Sequence, residues 1–182
     1  MKNNNLIFIG ARGAGKSRIS RKLGKLTGRT VLPTDTLISY EANGESIPSI
    51  VKKEGWKGFR EREYLILKNI SGMKNILIDC GGGILVEAPE ENDPENKEIL
   101  SKRKIKLLKS MGTMIYIKRD VEWLIKKVAD DPSRPDLAGD YRSFIKRRLP
   151  WYEKTSDVTI DMDKMQVENA IDYLMRKFKL QG

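Results

Sequence analysis

The sequence predicts an α/β fold built on a five-stranded parallel sheet, and three observations carry that prediction. Five short apolar runs, at residues 6–9, 30–34, 76–80, 113–118 and 158–162, are separated by stretches with helical periodicity. Strands that alternate with helices pair in parallel and are covered on both faces. The first run leads directly into GARGAGKS, Gly10 to Ser17, a glycine turn that opens a helix. The last helix carries Val167, Ala170, Ile171, Leu174, Met175 and Phe178 on a single stripe, as a helix closing a sheet requires.

Taken in order, the first strand, Leu6 to Ile9, is followed by Gly10, Gly13 and Gly15 and then by a helix expected from Lys16, with Ile19, Leu23 and Leu26 as its apolar face. The spacing Gly10 to Ser17 matches G-x-x-x-x-G-K-S. In that motif the missing side chains let backbone N–H groups close around phosphate oxygens at a helix N-terminus. Lys16 would reach the terminal phosphates and Ser17 a magnesium ion. The glycine pattern differs from the dinucleotide-binding G-x-G-x-x-G, so a nucleoside triphosphate is the expected ligand.

After the second strand, WKGFREREYLILKNI places Phe59, Ile66, Leu67 and Ile70 on one helix face, with Glu63 on the same face as Phe59. Arg60, three residues before Glu63, is its natural partner. The spacing allows either a core-facing ion pair or a solvated surface pair. The third strand ends at Asp79, in the position of a Walker-B aspartate or of a cap on the turn that follows. That turn, Gly81 to Gly83, leaves the same rim of the sheet as the phosphate loop, and its bare backbone would admit an anionic or hydroxylated ligand. EAPEENDPEN, Glu87 to Asn96, reads as an exposed acidic excursion. SKRKIKLLK, Ser101 to Lys109, reads as a helix whose Ile105, Leu107 and Leu108 face inward and whose basic side is solvated. DDPSRPDLAGD, Asp130 to Asp140, reads as a mobile loop.

Composition narrows the function. At 182 residues and 39% apolar, the chain fits a single domain, residues 1–182, with one core. One cysteine, Cys80, excludes an internal disulfide, and neither a signal peptide nor a membrane-spanning run is visible, so the cytoplasm is expected. The absence of histidine assigns any proton transfer to a carboxylate or lysine. A net charge of +10 suits an enzyme whose ligands are all anions, and no nucleic-acid or membrane partner is expected.

The phosphate loop, Phe59-Arg60-x-x-Glu63, Gly81-Gly82-Gly83, Arg134-Pro135 and Arg148-x-Pro150-x-Tyr152 occur in that order, and together the chain resembles the shikimate kinases from Leu6 to about Val158. The resemblance implies the three-layer fold of nucleoside monophosphate kinases, with strand order 2-3-1-4-5, a substrate-binding region at about residues 35–72, a lid at about 130–142, and a monomer. It implies ATP as co-substrate, shikimate as acceptor and Mg2+ as cofactor. Asp35 would hold or deprotonate the attacking hydroxyl, and Arg60 and Arg148 would clamp the substrate carboxylate, whose two oxygens match the paired donors of a guanidinium. Glu63 would orient Arg60, and Gly81, Gly82 and Gly83 would meet the substrate through backbone. ATP would lie against Gly10, Ala11, Arg12, Gly13, Ala14, Gly15, Lys16, Ser17 and Arg18, with Lys127 and the lid's Arg134. Arg134 would swing in to neutralise charge on the transferring group, so Lys16, Asp35 and Arg134 form the catalytic set.

The chain departs from the family pattern in three places. Pro33 stands where an aspartate usually helps hold magnesium, and Asp79 is the residue that could replace it beside Ser17. The lid is short, with Asp136 at a usually apolar position, and the acidic insertion is extra. The alternatives are a related kinase for another hydroxy acid such as gluconate, a nucleotide-binding homologue without activity, and a nucleic-acid-binding ATPase suggested by charge alone.

Overall fold

A computed structural model of the chain describes residues 4–90, 97–129 and 141–181. The elements are β1 (Asn5–Ile9), α1 (Lys16–Thr27), β2 (Val31–Pro33), α2 (Thr34–Glu41), α3 (Ile47–Ile70), β3 (Leu77–Asp79), β4 (Val86–Glu87), β5 (Ile99–Leu100), α4 (Lys102–Met111), β6 (Gly112–Lys118), α5 (Val121–Ala129), α6 (Tyr141–Thr155), β7 (Val158–Asp161) and α7 (Val167–Lys177).

The main sheet has five strands in the order β2-β3-β1-β6-β7, and every pairing in it is parallel. Counted without the hairpin strands β4 and β5, this is 2-3-1-4-5. Strand β1 lies at the centre, and all five of its residues are buried, as a strand covered on both faces must be. Its C-terminal end, with those of its neighbours, forms the rim from which the candidate site is built. The α7 stripe packs as its periodicity predicts: Val167, Ala170, Ile171 and Leu174 are buried, while Met175 and Phe178 rest half-buried against the same core.

Four expectations need correction. On α1, Ile19 and Leu23 are fully buried but Leu26 is 48% exposed, because it stands at the margin of the face that Lys16, Ile19, Ser20, Leu23 and Gly24 bury. The second strand does not run to Thr34; β2 stops at Pro33, and Thr34 and Asp35 lie in the first turn of α2. The basic side of α4 is not wholly solvated, since Lys104 shares the buried face of Leu108 and Met111 and is itself 0% exposed. The acidic segment from Glu87 does not begin as an exposed excursion: Val86 and Glu87 pair antiparallel with Leu100 and Ile99 in the hairpin β4–β5, while residues 91–96 lie outside the described residues.

Helix α3 is two helical pieces joined at Gly55, whose φ of 68° no β-branched or bulky residue would adopt readily. The second piece carries Phe59, Ile66, Leu67 and Ile70 inward, and Ile50 of the first piece joins Phe59 and Ile66 in one buried cluster. Among the described residues no helix is long and apolar enough to cross a membrane.

Candidate active site

The phosphate loop follows β1 without interruption. Gly15 occupies the N-cap of α1 at φ 104°, a left-handed conformation open to glycine, and it offers no capping side chain. No acidic residue stands in the first turn of α1 either, so its leading N–H groups and the positive end of its dipole are directed to an external anion. Lys16 is 7% exposed and folds back over the loop, donating from Nζ to the carbonyls of Gly10 at 3.0 Å and Ala11 at 2.9 Å. Lys127 on α5 covers Gly13, its Cγ lying 3.5 Å from the place a Cβ would occupy there. Past Arg18, an open groove of about 570 Å³ is lined by Arg119 and the turn 162–169 after β7. Arg119 stacks on Trp123, with its guanidinium carbon 4.5 Å from the ring centroid. Arg134 and the lid at 130–140 lie outside the described residues.

The second glycine loop packs against the first. A Cβ on Gly82 would lie 3.1 Å from the Arg12 backbone nitrogen, so the two loops form one continuous floor. Gly81 is bound to the start of α2, its N–H donating to Thr34 Oγ1 at 2.9 Å. A Cβ there would lie 2.2 Å from the Asp35 carboxylate. At Gly83 a Cβ would fall 2.4 Å from Nη1 of Arg60. Only glycine permits these close approaches, and they draw Asp35 and Arg60 to the same turn.

Arg60 and Glu63 form a buried pair rather than a surface one, with 3.0 Å between Nη1 and Oε2 and exposures of 5% and 1%. The Arg60 guanidinium carbon lies 5.0 Å from the Trp56 ring centroid and 5.3 Å from that of Phe59, which fixes the plane of the group. Lys104 from α4 also reaches Glu63 Oε2, at 2.8 Å, and donates to the Val86 carbonyl. Burial lowers the proton affinity of Lys104, and the Glu63 carboxylate acts against that loss.

Arg148 approaches from α6. Its Nη1 donates to the Gly82 carbonyl at 3.3 Å, and the same carbonyl accepts from the Tyr152 hydroxyl. The Tyr152 ring stacks on Tyr116 of β6 at 5.3 Å. Along its other edge Arg148 is held by Glu98, with Nε to Oε1 at 2.7 Å and Nη2 to Oε2 at 2.6 Å. Burial works against the charged Arg148, but its hydrogen bonds to Glu98, together with the Glu98 charge and the Tyr152 side chain, outweigh it and bind its proton more tightly than usual.

Asp79 is 7% exposed and pairs in register with Phe8 on one side and Pro33 on the other, at the foot of the phosphate loop. The adjoining Cys80 reports the local field: burial raises its thiol well above the ordinary range, Asp79, Asp35 and Glu63 raise it further, and Lys16 opposes them. Among the described residues no cluster of three or more acidic, cysteine or histidine side chains is ready-made for a metal. Ser17 and Asp79 offer hard oxygen donors, so a divalent ion at this point would take the rest of its ligands from phosphates and water.

Lys104 and Glu98 were not singled out from the sequence. Lys104 had a signal, since it precedes Leu108 and Met111 by four and seven residues and so shares their face. Glu98 had none, because its inward direction depends on the pairing of β4 with β5.

A parallel sheet with an uncapped phosphate loop, set against a buried and a half-buried arginine on a shared glycine turn, defines a P-loop kinase for a small anionic acceptor. The comparisons agree. A family model described as shikimate kinase matches residues 12–179. A shikimate kinase of Leptospira biflexa is 42% identical over 173 residues, covering 94% of this chain and 93% of its relative. One from Leptospira borgpetersenii is 41% identical over 179 residues, covering 96% and 98%. A shikimate kinase from Acinetobacter baumannii, solved in complex with shikimate, superposes with a TM-score of 0.80 at 25% identity, covering 97% of this chain and 93% of that one. The chain belongs to the shikimate kinase family, ATP-dependent kinases that phosphorylate a hydroxyl group of shikimate.

Proposed function

We propose that this chain transfers the γ-phosphoryl group of ATP, with Mg2+ as cofactor, to the 3-hydroxyl of shikimate. One observation carries the reading. Gly82 touches the phosphate loop at Arg12, accepts from Arg148, and is flanked by the glycines that adjoin Asp35 and Arg60. A phosphate cradle and a carboxylate clamp thus share one turn, the arrangement needed to hold an acid in line with a nucleotide.

In this reading Arg60 and Arg148 bind the acceptor's carboxylate, and Asp35 accepts the proton of the attacking hydroxyl. Lys16 exchanges the carbonyls of Gly10 and Ala11 for phosphate oxygens, and the α1 N-terminus and loop N–H groups stabilise charge on the transferring group. Lys127 and Arg134 add positive charge from the lid side, and the groove past Arg18 receives the nucleoside. Ser17 and Asp79 would hold a magnesium ion, which would supply charge neutralisation at the phosphates. Little covalent chemistry falls to the protein, so the lack of histidine is no obstacle. One catalytic domain acting as a cytoplasmic monomer completes the proposal.

The test is a coupled ADP-release assay with ATP and Mg2+, supplied in turn with shikimate, gluconate and RNA. Shikimate alone should drive turnover. Faster release with gluconate would overturn the substrate assignment, release with RNA would favour an ATPase, and none with any acceptor would leave a nucleotide-binding homologue.

A further inference from the structure

We propose that Glu98 is a positioning residue for the carboxylate clamp, holding one edge of the Arg148 guanidinium so that the opposite edge is presented to the substrate. The inference rests on the reading of Arg148 as a substrate ligand. A guanidinium has five N–H donors. Glu98 takes those of the Nε–Nη2 edge, at 2.7 and 2.6 Å, and the Gly82 carbonyl takes one from Nη1 at 3.3 Å. The Tyr152 hydroxyl lies beside the same guanidinium and shares its remaining donors, which are held in a plane fixed by the Glu98 and Gly82 contacts.

Glu98 is itself 8% exposed, so its direction is set by packing rather than by solvent. It precedes β5, where alternation sends Ile99 outward, 41% exposed, and Glu98 and Leu100 inward. A slip of one residue in the pairing of Val86 with Leu100 would turn Glu98 to solvent and leave Arg148 unpaired. The hairpin is secured against such a slip. Arg103 binds Glu87 at 2.9 Å and Glu61 of α3 at 2.6 Å, and the Ser101 N–H donates to the Leu85 carbonyl at 2.7 Å. The hairpin therefore has a use, which is to deliver a carboxylate to Arg148 as Glu63 is delivered to Arg60. Each clamp arginine has its own buried partner, and such outer partners set the geometry of a binding group.

The experiment measures steady-state constants for both substrates on the full chain. Arg148→Lys comes first: unchanged shikimate KM would refute the reading of Arg148 itself, whatever Glu98 does. With that KM raised, Glu98→Gln should raise shikimate KM about 10-fold while ATP KM and kcat stay within about twofold, and Glu98→Asp should recover part of the loss. Adding Glu98→Gln to Arg148→Lys should cost little more, because the oriented group is already gone. An unchanged shikimate KM in Glu98→Gln would overturn the proposal. A lowered one would also do so, marking Glu98 as a rival of the substrate for the guanidinium. If Glu98→Gln fails to fold, Glu98→Asp decides: normal shikimate KM with a retracted carboxylate would overturn the proposal equally.

Discussion

Pro33 and Asp79 are register partners across the parallel strands β2 and β3, so their side chains stand next to each other on one face of the sheet at the foot of the phosphate loop. An acid missing at the first position has an acid beside it at the second, and in the proposed reading that neighbour would serve the same metal.

We expect Asp79→Asn to raise the Mg2+ concentration needed for half-maximal turnover, and Pro33→Asp to restore part of that loss. Pro33 is the N-cap of α2 and makes no side-chain cap bond, so an aspartate there would also stabilise the helix by about 1 kcal/mol. Pro33→Ser separates the two effects, as it caps without a charge. An Mg2+ dependence indifferent to Asp79→Asn would rule out the substitution of one acid for the other.

For Asp35 we expect Asn to leave folding and ATP binding intact and to lower kcat by about 10²- to 10⁴-fold, because an amide cannot take the hydroxyl proton. Near-normal kcat in this variant would reduce Asp35 to a hydrogen-bonding group.

At Gly83 a Cβ would meet the Arg60 guanidinium at 2.4 to 2.8 Å, while at Gly72 it would meet nothing within 4 Å. Gly83→Ala should therefore displace Arg60 and raise shikimate KM with little change in ATP KM, and Gly72→Ala should change neither. Equal effects on both substrates would show that the displaced group does not serve the acceptor alone.

Removing Glu63 leaves two buried cations, Arg60 and Lys104, without the carboxylate they share. Glu63→Gln should cost about 3–5 kcal/mol in urea unfolding. Lys104→Met should cost clearly less, since Glu63 keeps Arg60 and a methionine of similar length fills the space. The reverse order would mean that Lys104, not Glu63, organises the cluster.

Much of the frame was legible because its signals are local. The phosphate loop is a contiguous motif, and the apolar runs at Leu6, Ile76 and Thr113 fall within a residue or so of β1, β3 and β6. The stripe on α7 is a periodicity within one helix. The pairing of Arg60 with Glu63 is likewise a spacing on one helix, and the sequence could offer it without deciding whether the pair met water or the core.

What only the tertiary structure decided depends on register and on the meeting of distant segments. Leu26 follows the apolar period of α1 but stands at the margin of the face the helix buries, which is centred toward Ser20 and Gly24. Lys104 sits in a basic run, yet α4 packs so that its ammonium meets Glu63 from 41 residues away. Glu98 faces inward because β5 pairs with β4 in one register rather than the next, and it meets Arg148 across 50 residues of chain. A sequence specifies the faces of its own elements through short-range periodicity. Which faces meet, and which buried charge finds its counterion, follows from packing between elements that no local period records.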